Sequence, residues 1–511
     1  MNRQKPKAAS EQGQKVFVET YGCQMNVLDS ELVQGQLATQ GYEFVNDSDA
    51  ADVVLLNTCS VRELSEHKVW SRLGRLGKER RDKGKDPIVG VLGCMAEREG
   101  KEIVRRMPHV DIVCGPSLLD QLPMLLNNIR QNRQAQYALA GTNTRRSSTL
   151  EAAMDGVETL DLSRAFSPYE AKAQAYVRIT RGCNKFCSFC VVPYTRGPEV
   201  HRTPDAILEE VKRLVGYGVK EVTLLGQTVN HYEHVDGSGR TSFADLLWLL
   251  HEQVPDLPRL RFITSYPRDF GDDALDVMAA APRICRYLHI PAQSGSNTML
   301  KAMNRGYTVE EYMGLLERAR ARMPDIRLAG DMIVGYPNES AADHQASIRM
   351  LEEARYKSCF IFKYSPRPGT VSERRLEDNV PEEVKRERNQ ELLEVQARMS
   401  LLNNESRIGQ VVEVLVEGKS KLKNSPQPTG EVRLGWQTNK SAPNENLLQL
   451  SGRTAGDEIV ALQGPESLIG EIVSVKVEKA TPLTLQGKLA SDYSALPLQG
   501  EGAIESSALR S

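Results

Sequence analysis

From Val16 to about residue 135, short apolar runs alternate with segments whose apolar residues recur every three or four positions. That alternation predicts a parallel sheet flanked by helices. Its expected strands are 16–20, 52–56, 88–92 and 110–113. Asp29 or Ser30 is the expected cap of a helix between the first two strands, Gly41 its stop, and a basic helical segment follows the second strand. Residues 138–173, rich in Thr, Ser and Ala without apolar periodicity, read as a linker. A second run has strands expected at 176–180, 221–225, 261–264, 287–290, 328–334 and 358–362, each followed by a helical stretch. Six strand-helix units predict a partial (β/α)6 barrel rather than a second small doubly wound sheet. After a charged helix at 381–403, period-two strands at 411–416, 431–434 and 471–477 predict a small antiparallel β-barrel. The fold class expected is therefore α/β, with a doubly wound amino-terminal sheet at 15–135, the barrel at 169–400 and the small β-barrel at 405–490.

Composition narrows the class. With 40% hydrophobic and 26% charged residues in 511, the chain is neither disordered nor fibrous. A formal charge of −2 leaves nucleic-acid binding to local patches. Arg72, Arg75, Lys78, Arg80, Arg81, Lys83 and Lys85 form one such patch, suited to phosphate or simply to a solvated helix face. The polar start and the lack of a long apolar run argue against export or a membrane partner and for a cytoplasmic location. Nine cysteines, an odd number without an export signal, point to metal-binding or reactive thiols rather than a disulfide framework.

The strongest chemical signal is Arg181-Gly-Cys183-Asn-Lys-Phe-Cys187-Ser-Phe-Cys190, directly after the first strand of the barrel-like run. Three thiolates in one loop can hold three irons of a 4Fe-4S cluster and leave the fourth open, whereas zinc asks for a fourth ligand that only His201 is near enough to offer. This motif resembles the radical S-adenosylmethionine (SAM) superfamily, in which the open iron chelates SAM and reduction yields a 5′-deoxyadenosyl radical. The resemblance implies that Gly226 and Gln227 of LLGQTVN hold the methionine moiety, and that Gln293 and Ser294 of HIPAQSGS with Asp331 and Gly335 of DMIVGYP surround ribose and adenine. Each could equally be a rim-turn residue.

A dispersed set, Cys23, Cys59 and Cys94, is separated by 36 and 35 residues, close to one βαβ step, and each member follows an expected strand. Parallel strands place such loops on one sheet edge, so the three either share a metal or are separate buried cysteines. Cys114 is a geometric rival on the same edge, read with Cys285 and Cys359 as a small buried hydrophobe. The words TYGCQMN, NTCSVRE and GCMAE resemble the amino-terminal domain of the methylthiotransferases, radical SAM enzymes with a second, auxiliary 4Fe-4S cluster there. Together with CNKFCSFCVVPYTRGPEV and PAQSGS they resemble the MiaB-type branch over residues 15–490, with Arg181 and Ala292 as departures.

That resemblance implies methylthiolation of C2 of N6-isopentenyladenosine beside the tRNA anticodon, with SAM as methyl donor and radical source. The alternative is a sister branch acting on threonylcarbamoyladenosine or a ribosomal-protein aspartate. It also implies an electron donor such as flavodoxin or ferredoxin, a sulfur source and a monomer, while GEIVSVKVEKATPLTLQGKL resembles the TRAM domain, which implies RNA binding with Trp436 or Arg433 either stacking on a base or packing within the barrel. Tyr194, Arg196 and His201 are expected to line the site or to serve the fold.

Overall fold

The computed structural model describes residues 13–60, 63–132, 134–141, 173–237, 239–420 and 447–490. The chain divides into two compact units, Met1–Met399 and Ser400–Ser511.

In the first unit, VVLLNT and IVGVLG form β3 (Val53–Thr58) and β4 (Ile88–Gly93), every residue of which is buried. Continuous apolar runs of this kind suit strands covered on both faces. Around them stand β1 (Lys15–Tyr21), β2 (Glu43–Phe44), β5 (Ile112–Cys114) and β6 (Gln136–Ala138), giving the order β2-β1-β3-β4-β5-β6. All pairs are parallel, and the order reverses beside β1, as in a doubly wound sheet. The two edge strands escape the hydrophobic pattern because they are two and three residues long. One sheet face packs on Leu28, Leu32, Leu125 and Ile129, the other on Val69, Leu73 and Ile103. Burying each such side chain stabilises the fold by about 1.5–3 kcal/mol.

Helix α1 (Gln24–Ala38) departs from expectation at its start. Cys23 occupies the N-cap, and the backbone N–H of Cys23 donates to Asn26 Oδ1 at 3.4 Å. Asp29 and Ser30, the expected caps, lie inside the helix and are buried, because the chain turns into helix directly at the end of β1.

The later strands of this unit are β7 (Gln174–Arg178), β8 (Thr180–Arg181), β9 (Val200–His201), β10 (Glu221–Leu225), β11 (Glu233–Asp236), β12 (Gly239–Ser242), β13 (Arg259–Phe262), β14 (Tyr287–His289), β15 (Arg327–Val334) and β16 (Ser358–Lys363). Parallel triplets β7-β10-β13 and β14-β15-β16 follow chain order. A single bridge, Leu260 to Ile284, links the triplets, and no ladder joins β16 to β7 among the described residues. The six expected strands thus form an open barrel. Leu225, with Tyr176 and Ile263 beside it, belongs to the core under the first sheet, so the two αβ regions share interior.

The second unit holds a closed barrel of β17 (Val411–Lys419), β18 (Leu448–Thr454), β19 (Ile459–Gly464), β20 (Ile472–Ala480) and β21 (Leu485–Leu489), in the order β17-β18-β19-β21-β20. Its pairs are antiparallel except β19 with β21, which closes it in the manner of a five-stranded OB-type barrel. The strand expected at 431–434 lies outside the described residues.

Candidate active site

The carboxyl ends of β1, β3 and β4 are neighbours in register, with Tyr21 opposite Thr58 and Thr58 opposite Gly93. Cys23, Cys59 and Cys94 come immediately beyond, so three thiols far apart in sequence meet on one sheet edge. Gly93, at φ +90°, lets β4 turn at once into α2 (Cys94–Glu99); a Cβ there would lie 2.5 Å from Asn57 Oδ1.

Two fully buried asparagines tie this edge together. Asn57 Nδ2 donates to the Asn26 carbonyl at 2.8 Å and to Ser30 Oγ at 2.9 Å. Asn26 Nδ2 donates to Asn57 Oδ1 at 3.2 Å and to the Thr58 carbonyl at 3.1 Å, while Asn26 Oδ1 accepts from Cys23 Sγ at 3.3 Å. Asn26 and Asn57 stand in the words TYGCQMN and NTCSVRE, and neither was singled out from sequence; their place beside the cysteines was the available signal. Cys114 stops short of the edge, opposite Leu92, and donates to the Leu118 carbonyl at 3.2 Å, its thiol pushed up by burial.

Beyond β8, Gly182 at φ +76° admits the loop of Cys183, Cys187 and Cys190, since a Cβ there would run into the Pro198 carbonyl. Both cysteine triads line one cavity of about 380 Å³. Gly226, Gln227, Gln293 and Asp331 line it as well. Gln293 holds a left-handed backbone, φ +75°, which its N–H donating to the Asp331 carbonyl at 2.8 Å keeps in place. Ser294 and Gly335 do not reach the cavity. Ser294 is buried, and its Oγ accepts from the Ser296 backbone at 3.2 Å, while Gly335 N–H donates to Glu339 Oε2 at 2.7 Å in a turn packed on Lys385.

The nine cysteines are all free thiols. Cys23 is lowered to about 6, chiefly by its hydrogen bond with Cys59, burial opposing and the charge of Arg196 assisting. Burial raises Cys94, against the charge of Arg196. It likewise pushes Cys183 up to about 11 and Cys190 up to about 12. A metal centre reverses such a rise by taking the thiolate as ligand. Arg305, which sequence reasoning missed, is buried and donates from Nη1 to Cys187 Sγ at 3.3 Å, from Nε to Tyr307 Oη at 2.9 Å and from Nη2 to the Pro291 carbonyl at 2.8 Å. Nothing near Arg305 in the chain signals this contact, because it spans 118 residues.

Of the other expected residues, Arg196 lines the cavity, Tyr194 is exposed, and His201 stacks on Tyr232 at 5.7 Å. Glu199, His201 and His231 bring ligand-type atoms within 4.8 Å of one another. They do not make a cation site, because His201 Nδ1 accepts the Glu233 N–H at 2.7 Å, which leaves the ring proton on Nε2, facing Glu199 at 3.8 Å. The two imidazoles clasp a carboxylate that also accepts from Thr228 Oγ1 at 2.9 Å. In the basic segment, Arg72 is buried against Glu19 at 2.9 Å, Arg75 pairs with Glu79 and Arg80 with Asp86, so part of the patch serves the fold. Trp436 and Arg433 lie outside the described residues.

The class follows from comparison with known families. Residues 177–351 match the radical SAM superfamily, residues 15–115 the uncharacterized protein family UPF0004, and residues 445–490 the TRAM domain. A solved radical SAM methyltransferase, TsrM from Kitasatospora setae, shares the fold at TM-score 0.52 and 16% identity, over 71% of this chain and 74% of that one. A tRNA-2-methylthio-N(6)-dimethylallyladenosine synthase from Rhodopirellula baltica is 41% identical over 93% of this chain and 95% of its own length. One of the same name from Porphyromonas gingivalis is 39% identical over 94% and 96%. The chain belongs to the family of tRNA-2-methylthio-N(6)-dimethylallyladenosine synthases.

Proposed function

We propose that this protein is a radical SAM methylthiotransferase that adds a methylthio group to C2 of N6-isopentenyladenosine beside the tRNA anticodon. The observation that carries the reading is the single cavity on which both cysteine triads open. The residues fit the cofactors. Three free thiols on each side match clusters with three protein ligands, and the buried Gln227 Oε1, without a hydrogen-bond partner among the described residues, is an acceptor on the wall where SAM is expected. Cys183, Cys187 and Cys190 would hold the SAM-cleaving cluster, and Cys23, Cys59 and Cys94 the auxiliary one. Gly226, Gln227, Gln293 and Asp331 would touch SAM, with Ser294 and Gly335 shaping the turns behind. When bound, these groups supply the electron, radical and sulfur that an unactivated aromatic C–H demands and no side chain provides.

The protein's own residues bind, orient and exclude water. Phe360 and Phe362 line the cavity with rings 6.4 Å apart and 16° from parallel, and both are partly exposed. An adenine must leave its stack to react, and this pair offers the apolar surface that receives it. Arg305 keeps Cys187 aimed inward, and Thr228 holds Glu199 beside Cys183.

Residues 15–135 then serve the auxiliary cluster, 169–400 the SAM core and 405–490 RNA binding. The enzyme works as a cytoplasmic monomer with flavodoxin or ferredoxin as electron donor and a separate sulfur source. No described helix is long and apolar enough to cross a membrane. Anaerobic reconstitution with tRNA carrying isopentenyladenosine or threonylcarbamoyladenosine, followed by mass spectrometry of nucleosides, tests the assignment. Product from the first substrate alone is expected; product from the second alone overturns it.

A further inference from the structure

Arg196 follows Cys190 by six residues, just past the helix Val192–Thr195, yet its side chain belongs to the other triad. Its Nη2 donates to Asp29 Oδ2 of α1 at 2.8 Å, and Arg178 Nη1 stands 3.5 Å from the second oxygen of that carboxylate. The side chain is 3% exposed and lines the cavity with Cys23, Cys59 and Cys94. Its Nη1 is buried and has no hydrogen-bond partner among the described residues. A guanidinium is a rigid fork, so fixing one arm on Asp29 fixes the direction of the other. A buried charged donor without a full hydrogen bond is destabilising, and the side-chain contact of Arg196 with Cys94 shows that the guanidinium faces the thiols. Arg305, in the same cavity, has all three of its nitrogens matched.

We propose that Arg196 is a positioning residue of the auxiliary centre: it donates its second arm to the sulfurs of the cluster held by Cys23, Cys59 and Cys94, and raises that cluster's reduction potential. The inference rests on reading those cysteines as cluster ligands. Hydrogen bonds to sulfur and fixed nearby charge are the levers by which a protein tunes such a centre. Reduction adds negative charge, so a fixed cation favours the reduced form. Because Asp29 comes from the first αβ region and Arg196 from the second, the tuning arm is in place only when the two regions are docked.

The test uses full-length reconstituted protein carrying Cys183→Ala, Cys187→Ala and Cys190→Ala, so that only the auxiliary cluster remains, titrated potentiometrically by EPR. Adding Arg196→Gln should leave iron and sulfide unchanged and shift the oxidised-to-reduced ratio at fixed potential at least tenfold toward oxidised, 59 mV for one electron. Arg196→Lys, which keeps the charge, should recover most of the shift. A superimposable titration for Arg196→Gln overturns the role of Arg196 and leaves the cluster reading standing. Absence of iron in the parent with Arg196 intact overturns both. If Arg196→Gln holds no iron, Arg196→Lys decides: a cluster near the parent potential supports the proposal, and loss of iron there too overturns it in favour of a structural ion pair.

Discussion

Replacing Asn57 by Ala separates the auxiliary triad from the rest of the protein with one small change. Asn57 is fully buried and takes part in three hydrogen bonds, at 2.8, 2.9 and 3.2 Å. Its partners are not stranded, since Asn26 Nδ2 keeps the Thr58 carbonyl at 3.1 Å and Ser30 Oγ keeps Thr20 Oγ1 at 2.7 Å. The loss is then about 1 kcal/mol per bond, with about 1 kcal/mol more for the space left, or about 3–4 kcal/mol together. A domain stable by about 5–15 kcal/mol survives that, but the edge carrying Cys23 and Cys59 loses what holds it to α1. At about 1.4 kcal/mol per tenfold, cluster retention at this edge falls by at least about 100-fold in equilibrium terms. Iron and sulfide per chain should drop from two clusters to one after reconstitution, with 5′-deoxyadenosine formation retained and methylthiolated nucleoside lost. Asn57→Asp, which sets a buried carboxylate against the Asn26 carbonyl, should do no better than Ala. Two intact clusters with full methylthiolation in Asn57→Ala would refute the claim that this pair organises the site.

Other expectations follow from the two triads and the barrel. Cys183→Ala, Cys187→Ala and Cys190→Ala together should leave one cluster and abolish 5′-deoxyadenosine, and unaltered iron content would discredit the ligand assignment. Cys23→Ala, Cys59→Ala and Cys94→Ala together should preserve SAM cleavage while methylthiolated product disappears; parallel loss of both activities would instead mark three packing cysteines whose removal destabilises the whole. Truncation after Asn403 should weaken tRNA binding in a gel shift and leave both clusters and slow SAM cleavage intact, so unchanged affinity would assign the barrel another task.

The strands were legible wherever burial on one or both faces wrote an apolar run, as at β3, β4 and β10. They were not where pairing extends an edge with too few residues to carry a pattern, as at β2 and β6. The cysteine edge could be anticipated because one βαβ step separates its members and sheet topology turns equal spacing into adjacency. The start of α1 could not, because a cysteine is a poor cap on propensity alone, and the local box it forms with Asn26, three residues on, uses residue types outside the usual capping pattern. Arg305 and the Asp29–Arg196 pair escaped for a different reason. Their partners are 118 and 167 residues away, and a lone arginine in sequence carries no sign of which thiol or carboxylate it will meet.

The shared interior beneath the first sheet has a consequence for how the chain is made. That sheet is complete in strands by Ala138, but its core is closed by Tyr176, Leu225 and Ile263, the last of which leaves the ribosome roughly 125 residues later. At about 5–20 residues per second the first region waits on the order of 6–25 s with an apolar flank uncovered. Its three thiols stand on an edge whose facing wall has not yet been synthesised. The first region therefore gains a covered core beneath its thiol-bearing edge only after the second has emerged, and a nascent chain stalled within this interval exposes an apolar half-domain of the kind chaperones bind.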